Sequence, residues 1–241
     1  MAQAKLLYQN TTGNYNSQSS TFTKITQLLE SYFKSMVHIE SISSQAREDL
    51  ATLVPTGILE GFYLAGGTGL ALHLGHRESI DLDFFSTKAF NENTYLSRIN
   101  KAEVFTLDLK ESSTLTGRFG KTLLSLIAYE YPLLEPTLHW QGIEVASIID
   151  IACMKLDAAA SRGTKKDFID LFAITHIGGY TLVDLLSAFQ KKYASIQYNL
   201  MHIKKSLVYF ADAESDPMPI MHADIKWEDV KESFEQQVPK L

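Results

Sequence analysis

The chain has 241 residues, of which 45% are hydrophobic and 21% are charged, values that are ordinary for a soluble globular protein with a sizeable core. Its net charge of −6 argues against a broadly basic nucleic-acid-binding surface, although a local basic patch is compatible with it. A single cysteine rules out an internal disulfide framework and favours a reducing cytoplasm, and we recognise neither a signal peptide nor a run of membrane-spanning length. We therefore expect a soluble, cytoplasmic protein without a membrane partner.

The N-terminal part is predicted to become helical after a polar start. Residues 1–20 are expected to form a loose leader, with one short element near residues 5–8, because QNTTGNYNSQSS has no hydrophobic periodicity. From Thr21 to Phe33 apolar residues recur at helical spacing, which predicts a helix. A second helix is predicted from Ser43 to Leu53, ending before Pro55.

Many of the candidate site residues fall in one stretch, residues 64–86, which reads LAGGTGLALHLGHRESIDLDFFS. The apolar run of residues 61–65 predicts a short strand. It ends at Gly66-Gly67, where the backbone can turn tightly and approach a ligand without a Cβ in the way. Thr68 is predicted to cap a short helix covering residues 69–74, and a second strand is predicted over residues 78–85.

The second strand carries candidate chemistry on one of its faces. Since side chains alternate along a strand, Ser79, Asp81 and Asp83 point one way, and Ile80, Leu82 and Phe84 the other. Two carboxylates two residues apart can converge on a hard cation, Mg²⁺ above all. With the glycine turn and a helix N-terminus beside them, they predict a site for a nucleoside triphosphate, because backbone amides bind phosphate oxygens. Arg77, directly before this strand, is a candidate phosphate ligand because its guanidinium is always charged.

The spacing of these residues resembles that of a known family. Gly66-Gly67, thirteen intervening residues and Asp81-Leu82-Asp83 resemble the signature of the DNA-polymerase-β-type nucleotidyltransferases. The longer string GGTGLALHLGHRESIDLDFF is similar to the AbiEii/AbiGii branch, toxin-like nucleotidyltransferases of bacterial abortive-infection and toxin–antitoxin loci. The resemblance resumes in IIDIACMKLDAAASRGTKKDFIDLFAI, residues 148–174, and covers about the middle half of the chain.

After residue 86 a helix is predicted over residues 91–99, followed by strands over residues 104–110, 113–119 and 121–129. Polymerase-β-type sites usually take a third carboxylate from a strand that follows the paired aspartates. The most apolar of these strands, TLLSLIA, has no acidic residue, so the sequence departs from that pattern. Asp108 and Glu130 are the available substitutes, and neither position is compelling.

Two further helices complete the candidate site. Ser147 and Asp150 predict a capping box that opens a helix over residues 148–161, which Gly163 ends before a second helix begins near Thr164. Lys155 and Arg162 are seven residues apart and share one helix face.

In the resembled family a lysine on the first of these helices and an aspartate on the second join the active site. The matching positions are Lys155 and Asp167, with Asp170 and Arg162 as lesser candidates. The lysine would offset triphosphate charge. The aspartate would serve either as a third metal ligand or as the base for the attacking hydroxyl, and the sequence leaves both roles open.

The rest of the chain is predicted to be mostly helical, over residues 180–193, 196–210 and 224–234. The acidic, proline-containing segment DAESDPMPIMHAD is predicted to be a loop, in which Met218 and Met221 are expected to fill gaps. We expect an α/β (α+β) fold with a leader (1–20), a nucleotidyltransferase-like domain with a small mixed sheet and flanking helices (21–146), and a mostly helical C-terminal region (147–241).

The resemblance implies a metal-dependent nucleotidyltransferase that uses an NTP with Mg²⁺ or Mn²⁺. Asp81 and Asp83 would hold the metal. The nucleotide-binding candidates are Gly66, Gly67, Thr68, Arg77, Ser79 and Lys155, and the catalytic ones are Asp81, Asp83, Lys155 and Asp167. The acceptor implied is RNA such as tRNA, with an antitoxin as partner. The alternatives are transfer to a small molecule such as an antibiotic, and a non-catalytic nucleotide-binding or interaction protein of the same fold.

Overall fold

Residues 37–102 and 105–241 are described by the structure, a computed structural model, and the structural statements below concern these ranges. The predicted leader, with its short element near residues 5–8, and the predicted helix from Thr21 to Phe33 lie outside the described residues.

One mixed sheet runs through the described part of the chain, in the strand order β3-β4-β5-β2-β1-β7-β6. Its strands are β1 (Tyr63–Leu64), β2 (Leu82–Ser86), β3 (Phe105–Glu111), β4 (Thr114–Phe119), β5 (Thr122–Ala128), β6 (Leu138–Trp140) and β7 (Ile143–Val145). The pairs β2/β5 and β1/β7 are parallel, and the other four pairs are antiparallel. The expected α/β fold with a mixed sheet is confirmed.

Eight α-helices flank this sheet within the described ranges. They are α1 (Ser44–Leu53), α2 (Gly66–Leu74), α3 (Glu92–Ala102), α4 (Ile148–Ser161), α5 (Lys165–His176), α6 (Leu182–Lys192), α7 (Leu200–Ser206) and α8 (Trp227–Gln237). Short 3₁₀-helices span Ile39–Ser41, Val54–Thr56 and Val238–Lys240. No helix in these ranges is both long enough and apolar enough to cross a bilayer.

The central pair of strands positions the beginning of α2. β1 and β2 are antiparallel, with Leu64 opposite Phe84, and the main-chain N–H of Ala65 donates to the carbonyl oxygen of Asp83 at 3.0 Å. The chain then turns into α2 at Gly66. The N-terminus of α2 therefore lies beside the first residues of β2, where the paired aspartates are.

The helix α4 lies at the centre of the C-terminal half. It packs against α2, α5, α6 and α7. Its Ile151, Ala152 and Leu156 are fully buried in the same core as Phe168 of α5, because the apolar residues recur on several faces of the helix. This packing brings α5 and the residues that follow it close to the start of β2.

Two local predictions around α2 are wrong. The helix begins at Gly66 rather than Gly69, and its N-cap is Ala65, so Thr68 lies inside the first turn and does not cap it. The second strand begins at Leu82 rather than Glu78, because Arg77 and Ser79 form isolated bridges to other segments. As a result Ile80, predicted to point the same way as Leu82, is 54% exposed, whereas Leu82 is buried.

The hairpin β6–β7 was not predicted from the sequence, although its turn has a recognisable sequence. Gln141 and Gly142 connect the two strands with φ angles of 47° and 84°. Two consecutive positive φ values are typical of the tight two-residue turns that connect the strands of a hairpin, and glycine adopts such values at little cost. Strands of three residues give too short a pattern to be detected by alternation.

The predicted helices near the C-terminus exist with shifted bounds. The helix expected over residues 196–210 is limited to α7, whose N-cap Asn199 accepts from the N–H of His202. The helix expected over residues 180–193 corresponds to α6, which opens with a capping box between Thr181 and Asp184. Ser147 caps α4 as predicted. The Asp150 carboxylate does not complete a capping box, because it accepts from the Ser147 hydroxyl, the N–H of Leu134 and Nζ of Lys192.

Asp150 and Lys192 form a fully buried ion pair, with Nζ 2.8 Å from Oδ1. The Lys192→Met variant should lose about 3–5 kcal/mol of unfolding free energy, because it leaves the Asp150 carboxylate buried and unpaired. Urea unfolding measures this loss. The matched control is Lys191→Met at the neighbouring exposed position, which should stay within about 0.5 kcal/mol of the parent. Equal effects of the two changes would contradict a structural role for the pair.

Candidate active site

A cavity of about 660 Å³ lies where the start of α2, the segment before β2, the helices α4 and α5 and the loop after residue 215 meet. Most of the candidate residues from the sequence line it, namely Gly67, Arg77, Ser79, Asp81, Asp83, Lys155, Arg162 and Asp167. Gly66, Thr68 and Asp170 lie behind this lining. Residues far apart in the sequence are thus brought to one place, which makes the cavity the candidate active site.

Asp81 and Asp83 form the acidic part of the cavity. Burial raises the pKa of Asp83 and the charge of Asp81 raises it further, while hydrogen bonding to Ser125 and the charge of Lys155 act in the opposite direction. Two adjacent carboxylates with this mutual repulsion would be stabilised by a cation. Mg²⁺ is commonly held by one or two carboxylates together with substrate phosphates, so this donor set fits it. Within the described ranges, no cluster of three or more His, Cys, Asp or Glu side chains is arranged to hold a metal.

The glycine pair lets the backbone of α2 approach the site side chains. Gly66 has a φ of +59°, and a Cβ there would lie 3.0 Å from Oδ2 of Asp83. A Cβ on Gly67 would lie 2.6 Å from Nη2 of Arg77. A larger residue at either position would therefore have to displace the carboxylate or the guanidinium, and at Gly66 it would also be strained by the positive φ.

Thr68 acts on the segment before β2 rather than on the cavity itself. Its buried hydroxyl donates to the carbonyl oxygen of Asp81, and its oxygen lies 2.8 Å from Oγ of Ser79. The main chain of Ser79 is also held, because its N–H donates to the carbonyl oxygen of Ser41 at 2.8 Å. These contacts fix the backbone that carries Ser79 and Asp81.

Asp170 is a fully buried carboxylate that binds three basic side chains. It lies 2.8 Å from Nε2 of His76, 2.7 and 2.8 Å from Nε and Nη2 of Arg77, and 2.6 Å from Nζ of Lys155. Burial alone would raise its pKa, but the charges of Arg77 and Lys155 and the hydrogen bonds outweigh burial and hold the pKa well below its usual range. Asp170 therefore orients Arg77 and Lys155 from behind the cavity.

Asp167 faces the cavity and is also bound by cations. Its carboxylate lies 2.9 Å from Nζ of Lys155 and 3.0 Å from Nε of Arg162, and it accepts from the Thr164 hydroxyl at 2.7 Å. Burial raises its pKa, but Lys155 and then Arg162 outweigh this and lower it to about 2. A carboxylate with so low a pKa is a poor proton acceptor near neutral pH, which argues against Asp167 as a general base.

Three of the four basic residues that line the cavity, Lys155, Arg77 and Arg162, differ in how tightly their side chains are held. The side chain of Lys155 is 8% exposed, and although burial opposes it, Asp170 and Asp167 raise its pKa, so it stays charged. The Arg77 guanidinium is held by Asp170 and by the carbonyl oxygen of Glu78. The side chain of Arg162 is 64% exposed, and its guanidinium donates twice to Asp167, so a ligand that recruits Arg162 would compete with that ion pair.

Among the strands that the structure describes, none places a carboxylate next to the aspartate pair. β5 runs parallel to β2, with Ser125 opposite Asp83, and Leu123 lines the cavity on the same side. Asp108 lies on β3, which β4 and β5 separate from β2, and Glu130 follows β5. Neither belongs to the cavity lining, so neither substitutes for the missing carboxylate in this structure.

Several cavity residues were missed by the sequence prediction. They are Glu78, Ile80, Leu123, Thr164, Lys166 and residues 216–220. Met218 was expected to fill a gap in the core, but it is 42% exposed at the cavity, whereas Met221 packs against the core as expected. The available signal was the alternation of proline and large apolar residues in PMPI, which is unusual in an acidic loop.

Sequence comparisons identify the family to which this chain belongs. A sequence model of the family described as nucleotidyl transferase AbiEii toxin, type IV TA system, matches residues 49–119, a range that contains the glycine pair and both aspartates. The uncharacterized protein aq_aa25 of Aquifex aeolicus (strain VF5) is 38% identical over 206 residues, which cover 83% of this chain and 97% of aq_aa25. The chain belongs to the AbiEii nucleotidyltransferase toxin family.

Solved structures resemble this AbiEii-family chain to different degrees. JHP933 from Helicobacter pylori superposes with a TM-score of 0.51 and 20% identity, covering 83% of this chain and 93% of the other. MenT4, a nucleotidyltransferase toxin from Mycobacterium tuberculosis, superposes with a TM-score of 0.48 and 14% identity over 83% of this chain and 86% of its own. At this level of identity the likeness to JHP933 shows a common fold.

The ion pairs of Asp167 predict a pH dependence of stability in this AbiEii-family protein. Because its folded pKa is depressed to about 2, its contribution is fully present above the unfolded value near 4 and is lost as the pH falls towards 2. The contribution should be about 2 kcal/mol. Urea unfolding at several pH values should show a smaller acid-induced loss for Asp167→Asn than for the parent.

The matched control is Asp212→Asn at an exposed position, which should follow the parent across the pH range. If Asp167→Asn lost stability in parallel with the parent between pH 5 and 2, the low pKa assigned to Asp167 would be wrong.

Proposed function

We propose that this AbiEii-family protein transfers a nucleoside monophosphate from an NTP, bound with Mg²⁺ or Mn²⁺, to a hydroxyl group of RNA, with tRNA as the first acceptor to test. We propose further that it acts as the toxin of a toxin–antitoxin or abortive-infection pair in the cytoplasm. The observation that carries the proposal is the meeting of Asp81 and Asp83 with Lys155 and Arg162 in one cavity at the start of α2.

Asp81 and Asp83 are the residues that would hold the metal. When bound, a divalent cation supplies charge neutralisation and polarisation at the phosphate oxygens of the substrate. Their side chains line the cavity together, and their mutual repulsion fits a site that binds a cation. Membership of the family supports a nucleotidyltransferase. The requirement for a metal and the use of an NTP are part of our proposal.

The remaining residues are suited to the triphosphate. Gly67, in the first turn of α2, lines the cavity, and free main-chain N–H groups at a helix N-terminus bind phosphate oxygens. Lys155 is held in place by Asp167 and Asp170, so its charge is fixed near the phosphates before substrate binds. Arg162 can turn from Asp167 to the leaving group because its side chain is largely exposed. Ser79 adds a hydroxyl on the same wall.

The proposed reaction is an in-line displacement at the α-phosphorus. The oxygen of the acceptor hydroxyl forms a bond to this phosphorus, and the bond from it to the oxygen bridging the α- and β-phosphates breaks. The nucleoside monophosphate stays on the acceptor, pyrophosphate leaves with the bridging oxygen, and the hydroxyl proton is released to solvent. Lys155 and Arg162 stabilise the charge that develops on pyrophosphate.

RNA is favoured as acceptor by the outer part of the cavity and by the family. Arg162 and Lys166 are exposed at its rim, where they can contact a phosphate backbone despite the net negative charge of the chain. The toxin family supports an antitoxin as partner. A small hydroxylated cation such as an aminoglycoside would need a mainly acidic pocket, whereas this cavity also carries four basic residues, Arg77, Lys155, Arg162 and Lys166.

The missing strand carboxylate favours one competing function, nucleotide binding without transfer. Ser125 stands opposite Asp83, where a carboxylate of β5 would complete a metal site. A protein with this defect would bind an NTP and transfer nothing. We favour transfer because both aspartates, the glycine pair, Lys155 and Asp167 are all retained.

Purified protein incubated with Mg²⁺, each α-³²P-labelled NTP and total bacterial RNA should label RNA. The Asp81→Asn/Asp83→Asn double variant should lose at least a hundredfold of this activity, because losing the metal ligands removes several kcal/mol of transition-state stabilisation. The control variant Asp108→Asn changes an exposed strand aspartate outside the cavity and should retain full activity.

Label in RNA that survives the double substitution would contradict the site assignment. NTP binding by calorimetry without labelling of RNA, protein or added aminoglycosides would favour the non-catalytic alternative. Label in a small molecule or protein alone would replace RNA as the acceptor and leave the transfer reaction standing.

A further inference from the structure

The cavity has an apolar wall that the transfer reaction does not use. Ile80, Met218 and Ile220 line it together with Pro217 and Pro219, and we call these five residues the apolar shelf. Ile220 is 65% exposed and Ile80 is 54% exposed. Large apolar side chains that cluster in the open at a ligand cavity, rather than singly, indicate a binding surface.

The shelf is held rigidly at both of its ends. At one end the main-chain N–H of Lys165 donates to Oδ2 of Asp216 at 3.0 Å, and Nζ of the same lysine donates to the carbonyl oxygens of Glu214 and Asp216. At the other end the N–H of Glu78 donates to the carbonyl oxygen of Ile220 at 2.8 Å. The two prolines fix φ between these anchors. The apolar surface therefore exists before a ligand arrives.

The position of the shelf determines which part of a substrate can reach it. Ile80 directly precedes Asp81, so the shelf begins where the proposed metal and triphosphate end of the cavity stops. The whole cavity has a volume of about 660 Å³, within the range of roughly 300–1,000 Å³ that is usual for one small ligand. An NTP carries its charged triphosphate, which would bind the metal held by the aspartates, at one end. At its other end it carries a flat, weakly polar base.

We propose that the apolar shelf binds the nucleobase of the incoming NTP, an inference that rests on the proposed function. Bases are commonly held between apolar side chains that contact their faces. The prolines have no N–H groups with which to read base edges, so the shelf supplies affinity that all four bases share. A protein partner is less well matched, because a stable interface needs about 800 Å² per side and the shelf is one wall of a small cavity.

The test compares NTPs with inorganic tripolyphosphate, which lacks a nucleoside. Calorimetric titrations with Mg²⁺ should show Ile220→Ser and Met218→Ser binding the preferred NTP about tenfold more weakly than the parent, because apolar contact area is lost. Their affinity for tripolyphosphate should not change. The control is Val183→Ser, which removes an equally exposed apolar side chain on α6, outside the cavity. Ile80→Ser repeats the test on the opposite end of the shelf.

Unchanged NTP affinity in Ile220→Ser, Met218→Ser and Ile80→Ser would overturn the shelf proposal, and labelling of RNA by the same variants would leave the transfer function intact. Equal losses for NTP and tripolyphosphate would also overturn it, since the substitutions would then act on the phosphate end. Normal NTP affinity with reduced labelling of RNA would assign the shelf to the acceptor instead. If the parent bound neither NTP nor tripolyphosphate, the proposed function and the shelf would both fail.

Discussion

The arrangement of the site depends on one buried carboxylate. Asp170 has no exposed surface, and a buried charge of this kind is stable only when it is paired and hydrogen-bonded. Its partners are His76 and Arg77, which precede β2, and Lys155 on α4. The ion pairs that neutralise the Asp170 carboxylate therefore join α5, α4 and the segment that carries Asp81. The same contacts hold two positive charges, those of Arg77 and Lys155, in the lining that also contains Asp81 and Asp83, so neutralising Asp170 also sets the electrostatics of the cavity.

The distribution of charge in the cavity supports the nucleotidyl transfer that we propose. Asp81 and Asp83 bring negative charge to the start of β2, and Lys155 and Arg162, both bound to Asp167, line the same cavity. A metal-bound triphosphate, the substrate that we propose, presents both signs of charge and would find partners in both groups. Asp167 is best understood as the group that holds these cations, because its low pKa suits an ion-pair partner and not a proton acceptor. The apolar shelf then accounts for the remaining uncharged wall.

The parts of the site encoded by short-range pattern could be predicted from the sequence. Asp81 and Asp83 stand out by their two-residue spacing, although the strand itself begins only at Leu82, and Lys155 and Arg162 stand out by helical spacing, because each pattern needs only local geometry. The apolar shelf could not be found this way, since residues 216–220 reach the cavity through bonds to Lys165 and Glu78, distant in sequence. The start of α2 was predicted wrongly because threonine is a common N-cap residue. In the structure the hydroxyl of Thr68 instead donates a hydrogen bond to the carbonyl oxygen of Asp81. In both cases tertiary contacts decided the outcome over local preference.

The central claim, that the cavity behind which Asp170 lies binds a metal and a nucleotide, is tested most directly by a crystal structure with Mg²⁺ and a non-hydrolysable NTP analogue. The account predicts a cation at about 2.1 Å from carboxylate oxygens of both Asp81 and Asp83. It also predicts phosphate oxygens within hydrogen-bonding distance of Lys155. A nucleotide bound outside this cavity, or a cation held without either aspartate, would contradict the account.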